Sequence, residues 1–281
     1  MRRSQGRRRL ASACAALCAA AGCLFASLAP ALGGAWTLRE SEGTAFLQGT
    51  ATWSDHAFDG ASSLFAAQTY DKVTTQLFLE YGAADWLTLM VAPELVRISV
   101  GAPTDQSYFG PGYTDVGLRM KLSEGQAAGR DFVVSAQVVA RFPGAKPSEG
   151  EAVIGYVNGE LDLRLLAGLS FPLWGYESFL DLEVAQRQRY GAPPNEFRLD
   201  ATLGVRVAPR WLALVQSFNV ISEGAGDGPV FDVSYEYYKL QLGGMYDLSA
   251  NVSLMAALVS TYYARNAPQE NGIVLGALVR Y

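Results

Sequence analysis

Three kinds of residue are scarce in this 281-residue chain. Its only cysteines are Cys14, Cys18 and Cys23, its only histidine is His56, and no apolar run after residue 35 nears the length of a spanning helix. The first scarcity leaves residues 36–281 without thiol, disulfide or cysteine-based metal site. The second removes histidine clusters for metal. The third excludes a helical membrane span, which needs about 20 apolar residues. Phosphate loops and a Gly-x-Ser-x-Gly nucleophile turn are also missing. The sequence therefore points to no cofactor, no metal and no catalytic residue.

The N-terminus is of a different kind. Arg2, Arg3, Arg7, Arg8 and Arg9 precede an Ala-rich apolar run, Leu10 to Ala29. Small residues follow at Ala29-Pro30-Ala31 and Gly33-Gly34-Ala35. This is the pattern of a cleaved secretory signal peptide over 1–35, with 36–281 as the folded domain. A membrane anchor is the rival reading, given the length of the run. Removing 1–35 takes five of the 22 basic residues and none of the 27 acidic ones, leaving a net charge of −10. Such a charge argues against nucleic acid as a partner.

What fills the rest is alternation. Apolar and polar residues exchange at period two, the period of strands. Twelve strands are predicted, at 43–54, 69–81, 86–99, 112–122, 130–142, 153–169, 176–189, 195–207, 210–221, 229–246, 251–264 and 270–281. Short connections alternate with longer ones, chiefly 55–68, 100–111 and 143–152, which are expected to face outward. The last strand carries an apolar face, Ile273, Leu275, Ala277, Val279 and Tyr281, and ends on its aromatic residue. An even strand number, alternating loop lengths and an apolar face ending in an aromatic are the marks of an outer-membrane barrel. The expected fold is all-β, an antiparallel up-and-down transmembrane β-barrel of about 12 strands preceded by a signal peptide. Its expected partners are outer-membrane lipids, the barrel-assembly machinery and a small-molecule solute. Tyr81, Trp86, Trp174, Tyr176, Trp211, Tyr246 and Tyr281 would form one aromatic belt. Trp53, Tyr70, Tyr113, Tyr156, Tyr190, Tyr262 and Tyr263 would form the other.

The polar face of each strand supplies the candidate lumen. The fourth strand offers Asp115, Arg119 and Lys121, and the fifth Arg141. The sixth offers Glu160, Asp162 and Arg164, the seventh Glu183 and Arg187, and the eighth Arg198, Asp200 and Arg206. In the tenth, Asp232 and Glu236 alternate with Phe231, Val233, Tyr235 and Tyr237, and then the phase flips. A β-bulge near Tyr237-Tyr238 would bring Lys239 inward as well. Glu80, Glu94, Asp181 and Glu196 share the same parity. Two readings stay open: a polar conduit, or a lumen filled by charges that pair across strands. Across the short turn Phe171–Gly175, one register sets Arg164 opposite Glu183 and Glu160 opposite Arg187, and this register is expected. Ser54 and His56 could form a nucleophile–base pair of an outer-membrane phospholipase, the enzymatic alternative.

Two segments carry a family likeness. Tyr81-Gly82-Ala83-Ala84-Asp85-Trp86-Leu87-Thr88-Leu89 is followed by Gly110-Pro111-Gly112-Tyr113-Thr114-Asp115-Val116-Gly117-Leu118-Arg119-Met120-Lys121-Leu122. Together they resemble the outer-membrane transporter family named after the meta-pathway of phenol degradation. Tyr113-Thr114 separates Gly112 from Asp115 more widely than that pattern. The resemblance implies a barrel that passes small molecules, with hydrophobic or aromatic compounds as the implied cargo.

Overall fold

The computed structural model describes residues 34–146, 148, 151–152, 156–227 and 231–281. The predicted signal peptide up to residue 33 lies outside the described residues. Among the described residues twelve long strands follow one another. They are β1 (Gly43–Phe58), β2 (Leu64–Ala84), β3 (Leu87–Val100), β4 (Gln106–Ala127), β5 (Arg130–Pro143) and β6 (Glu160–Leu173). Then come β7 (Tyr176–Arg189), β8 (Glu196–Ala208), β9 (Trp211–Ser222), β10 (Glu236–Asp247), β11 (Val252–Arg265) and β13 (Asn271–Arg280). A two-residue strand, β12 (Ala267–Pro268), pairs with the far end of β1. Each long strand pairs antiparallel with its neighbour, and β1 pairs with both β2 and β13, so the sheet closes on itself. Closure leaves no open edge, the condition for backbone that crosses lipid. Its seam runs from Thr44 opposite Arg280 to Trp53 opposite Asn271. Gly43 and Tyr281 exchange two further backbone bonds, of 2.7 and 2.9 Å.

The alternation sorts side chains as expected. Leu118, Leu165, Leu199, Leu242, Leu258 and Leu275 are all more than 40% exposed on the outer face. Arg119, Asp162, Glu160 and Asp200 are nearly inaccessible on the inner one. The turn-side aromatics Trp86, Trp174, Tyr176, Trp211 and Tyr281 stand out at the surface as a belt. The opposite belt is incomplete. Trp53, Tyr190, Tyr262 and Tyr263 are exposed, but Tyr113 is 4% exposed, and Tyr70 and Tyr156 pack against a buried cluster of Val96, Ile98 and Tyr108.

Four expectations change. The connections 55–68 and 100–111 shrink to 59–63 and 101–105, because β1–β4 continue as tall hairpins. Loop 144–159 does not simply project outward. Ala145 and Ala152 are buried against Val96, Ile98 and Tyr108, so part of it folds over the loop end of the barrel. The sixth strand starts at Glu160 rather than 153, and the tenth at Glu236 rather than 229. Finally, the β6–β7 register differs by two residues from the expected one. Glu160 faces Arg189, Asp162 faces Arg187, and Arg164 faces Ala185. The cause is a two-residue turn, Trp174-Gly175, with φ of 51° and 85°. Two successive left-handed residues make the hairpin turn that matches strand twist, and this leaves no slack for a longer connection.

Candidate functional site

Among the described residues, polar side chains from many strands converge in the lumen, which has two unlike sides. On the β4–β8 side the charges neutralise each other. Arg141 meets Asp115 at 3.0 Å and Glu160 at 2.6 Å, with its guanidinium over the Tyr113 ring. Glu160 also holds Arg189 at 2.8 Å and Arg187 at 3.6 Å. Asp162 holds Arg187 at 2.9 Å and Arg164 at 3.1 Å. Arg164 reaches on to Asp200 at 3.0 Å and to Glu183. Glu196 takes Arg189 at 3.2 Å and Arg198 at 3.5 Å. These carboxylates and guanidiniums tile the wall and leave little room between them. A buried pair of this kind adds little stability as a pair, but removing one partner strands the other.

Two features beyond the strands complete this side. The hydroxyl of Tyr235, in loop 223–235, donates to Glu196 at 2.7 Å and accepts from Arg189 at 2.8 Å. Burial and the neighbouring Glu196 carboxylate raise its phenol above the ordinary value. In loop 144–159, burial pushes the Tyr156 phenol up to about 12.

The turn end of the lumen is crossed by the segment 34–42. Its backbone is held where a free chain would need partners. The Ala35 amide donates to Asp181 at 2.7 Å, and its carbonyl accepts from Ser135. The Trp36 carbonyl accepts from Arg119 at 3.0 Å, and the Leu38 amide donates to Thr88 at 2.8 Å. Trp36 packs edge-on against Phe179. Gly168 is required there, since a Cβ would lie 2.6 Å from the Trp36 ring. Arg119 ties this segment to the wall through Glu80 at 2.9 Å and Gln137 at 3.1 Å.

The β1–β3 and β9–β11 side is open. A cavity of about 440 Å³ runs along it. Threonines and glutamines of β1, β2, β9 and β10 line it, together with Phe46, Phe78, Phe218 and Met255. Lys72, Lys239, Glu94 and Glu270 are its charged groups away from the turn end. Lys239 is bonded to Glu270. Glu80, already taken by Arg119, stands at the turn end.

The sequence candidates fall out as follows. Asp115, Arg119, Arg141, Glu160, Asp162, Arg164, Glu183, Arg187, Arg198 and Asp200 meet on the closed side. Arg206 pairs with Asp247 at 2.6 Å, nearer the turn end. Lys121 sits at the turn-end rim, paired with Glu124 at 2.9 Å. Lys239 faces the cavity without a bulge in its own strand; the unpaired residue is Tyr262 of the neighbouring β11. Asp232 and Glu236 depart from expectation. Asp232 is exposed in loop 223–235. Glu236 opens β10 on the outer parity, against Arg265 at 3.5 Å. The apparent alternation from Asp232 to Tyr235 comes from residues that are not yet strand. Strand parity did not single out Arg189, Tyr235, Lys72 or Glu270. Arg189 shares the parity of Arg187 and could have been found that way. Tyr235 and Glu270 lie outside the long strands, where alternation gives no signal.

The Ser54–His56 pair does not assemble. The Ser54 hydroxyl donates to the backbone carbonyl of His56 at 2.7 Å, and the imidazole Nδ1 lies 2.7 Å from Asp55. The pairing of β1 with β2 is irregular between Ser54 and His56.

Comparison with known proteins defines the fold. No protein-family model matches the chain. No curated protein matches it either. Among solved structures, the COG4313 outer membrane channel from Pseudomonas putida F1 superposes with a TM-score of 0.70 at 14% identity, covering 89% of this chain and 98% of that one. The NanC porin gives 0.48 at 8% identity, covering 84% and 98%. The translocator domain of the autotransporter NalP from Neisseria meningitidis gives 0.46 at 8% identity, covering 96% and 98%. The first of these shows that the chain has the fold of an outer-membrane β-barrel.

Proposed function

We propose that this barrel is an outer-membrane channel through which small solutes pass along the open side of the lumen. The observation that carries this reading is the 440 Å³ cavity lined by threonines, glutamines and aromatic rings, beside a wall whose charges are already neutralised. Polar lining with weak, multiple contacts suits passage, because a solute must be able to leave as well as enter. The phenylalanines of the cavity, and the resemblance to the phenol-degradation meta-pathway family, support hydrophobic or aromatic compounds among the solutes. Lipid would meet the apolar outer face, and the barrel-assembly machinery would read the C-terminal strand. A signal peptide over residues 1–35 would be removed on export, and the intact mass of the mature protein checks it. The deciding experiment is single-channel conductance of the refolded mature chain, with a panel of small solutes. Discrete openings are expected; silence would remove the channel reading.

A second reading has its own observation. The segment 34–42 and the inward part of loop 144–159 stand at opposite ends of the lumen. Held permanently, they would make a plugged, structural barrel. The same recording separates the two.

A further inference from the structure

The cavity contains polar groups that the protein leaves without partners. Thr52 and Lys72 are directly opposite each other across β1 and β2, on the inner face. Both line the cavity. Thr52 is 7% exposed, and its hydroxyl has no hydrogen-bond partner. Among the described residues the Lys72 ammonium makes no hydrogen bond and no ion pair. A buried hydroxyl or ammonium left unmatched is costly, so such groups mark a place where something else binds.

The sign of that ligand follows from the surroundings. Glu270 lines the same cavity as the two lysines and is bonded to Lys239. Two ammonium groups lie in the field of Glu270, and only Lys239 is bonded to it, which leaves Lys72 without an ion-pair partner among the described residues. Glu94 also faces the cavity, in the field of Lys72 as well as Arg141 and with one carboxylate oxygen unpartnered, but it forms no ion pair with Lys72. The other cross-strand neighbour of Thr52 is Gly272, where a Cβ would lie 2.7 Å from the Thr52 methyl group. Six residues along β1 from Thr52, Phe46 stands opposite Phe78. Their rings, with Phe218, give an apolar lining to the same cavity.

We infer that the Thr52–Lys72 pair binds the anionic group of a small organic acid, whose apolar part lies within the same cavity. The ammonium and hydroxyl supply two donors to one carboxylate, a charge-assisted arrangement. The inference deepens the channel reading and rests on it for its physiological meaning. The site itself is testable apart from transport.

Three probes share one ring and differ in head group: benzoate, benzyl alcohol and benzylamine. Equilibrium binding to the barrel in lipid nanodiscs can be read by ligand-detected NMR. Benzoate should bind at least tenfold tighter than benzyl alcohol, and benzylamine more weakly than either. Lys72→Gln should bring benzoate down to the level of benzyl alcohol. Thr52→Val, nearly isosteric, should weaken benzoate severalfold and leave benzyl alcohol unchanged. Lys121→Gln at the turn-end rim should change neither. Heat-modifiable mobility reports that each variant is folded, and Thr52→Val carries the test if Lys72→Gln does not fold. Equal affinity for benzoate and benzyl alcohol would overturn the inference, as would unchanged benzoate binding in folded Lys72→Gln or Thr52→Val. Acid binding by a barrel that conducts nothing removes the channel reading and keeps the site. Conductance without acid preference does the reverse.

Discussion

The two sides of the lumen are built from the same alternation and reach opposite ends. On β4–β8, acidic and basic residues fall on the inner parity of adjacent strands. Long guanidiniums bridge not only direct partners but diagonals, so Glu160 alone serves Arg141, Arg187 and Arg189. On β1–β3 and β9–β11 the inner parity is held by threonine, glutamine and phenylalanine, with few charges. Short neutral side chains cannot reach across a barrel of this size, and a cavity remains. The comparison teaches that the charge count of a strand's inner face decides whether its side of a twelve-strand barrel fills or stays open. Eight-strand barrels fill with side chains and porins do not; here both outcomes share one wall.

Several perturbations would sharpen or break that comparison. The largest concerns the segment that crosses the turn end. Deleting Gly34–Glu40 behind the signal peptide removes the Trp36 carbonyl from Arg119 and the Ala35 amide from Asp181. Conductance should rise severalfold. An unchanged conductance would mean that solutes never pass this end.

Next is the contrast between Glu160 and Glu270. Glu160→Gln leaves three guanidiniums short of a partner inside the closed side. A loss of about 3–5 kcal/mol is expected from stranding buried charge, read as the urea midpoint of reversible unfolding. Glu270→Gln frees Lys239 and removes a negative charge from the field of Lys72 beside the cavity. It should cost less stability and shift ion selectivity further toward anions, read as the reversal potential in a salt gradient. The opposite ranking of the two variants would break the division into a closed and an open side.

A smaller effect is expected at the seam. Tyr281 exchanges backbone bonds with Gly43, and its ring lies where a Gly43 Cβ would stand, 2.3 Å away. Deleting Tyr281 should lower the fraction of heat-modifiable barrel in the membrane, with the remainder unfolded. A full yield of folded barrel would show that closure does not need the terminal residue.

Much of this was legible in the sequence, and the limits have physical causes. Strand number, closure at the C-terminal strand and the inward parity of Asp115 through Asp200 follow from period-two alternation, which burial enforces on one face. The β6–β7 register did not follow from charge pairing. Arginine reaches diagonal neighbours as readily as direct ones, so Arg164 contacts Glu183 even though it sits opposite Ala185. Two registers therefore satisfy the same charges, and the turn chooses between them. At β9 the adjacent polar residues Gln216 and Ser217 take opposite faces, and both find partners. Gln216 faces in, while Ser217 on the outer parity donates to Asn219, which donates to the Leu199 carbonyl. The segment 34–42 has no periodicity to read, and its partners are backbone groups. Asp232 and Glu236 were misplaced because alternation was followed past the true start of β10.

The central claim is that solutes touch the β1–β3 and β9–β11 wall and not the β4–β8 wall. The absence of cysteine after residue 35 makes that directly measurable. Single cysteines can be placed at Thr74 or Gln216, which line the cavity, and at Ala185, which is 3% exposed on the closed side. A charged, membrane-impermeant thiosulfonate is then added to the conducting barrel. Thr74→Cys and Gln216→Cys should react quickly and lose conductance as they do, while Ala185→Cys stays unmodified. Modification of Ala185→Cys at the same rate, or modification of Thr74→Cys and Gln216→Cys with no change in current, would contradict it.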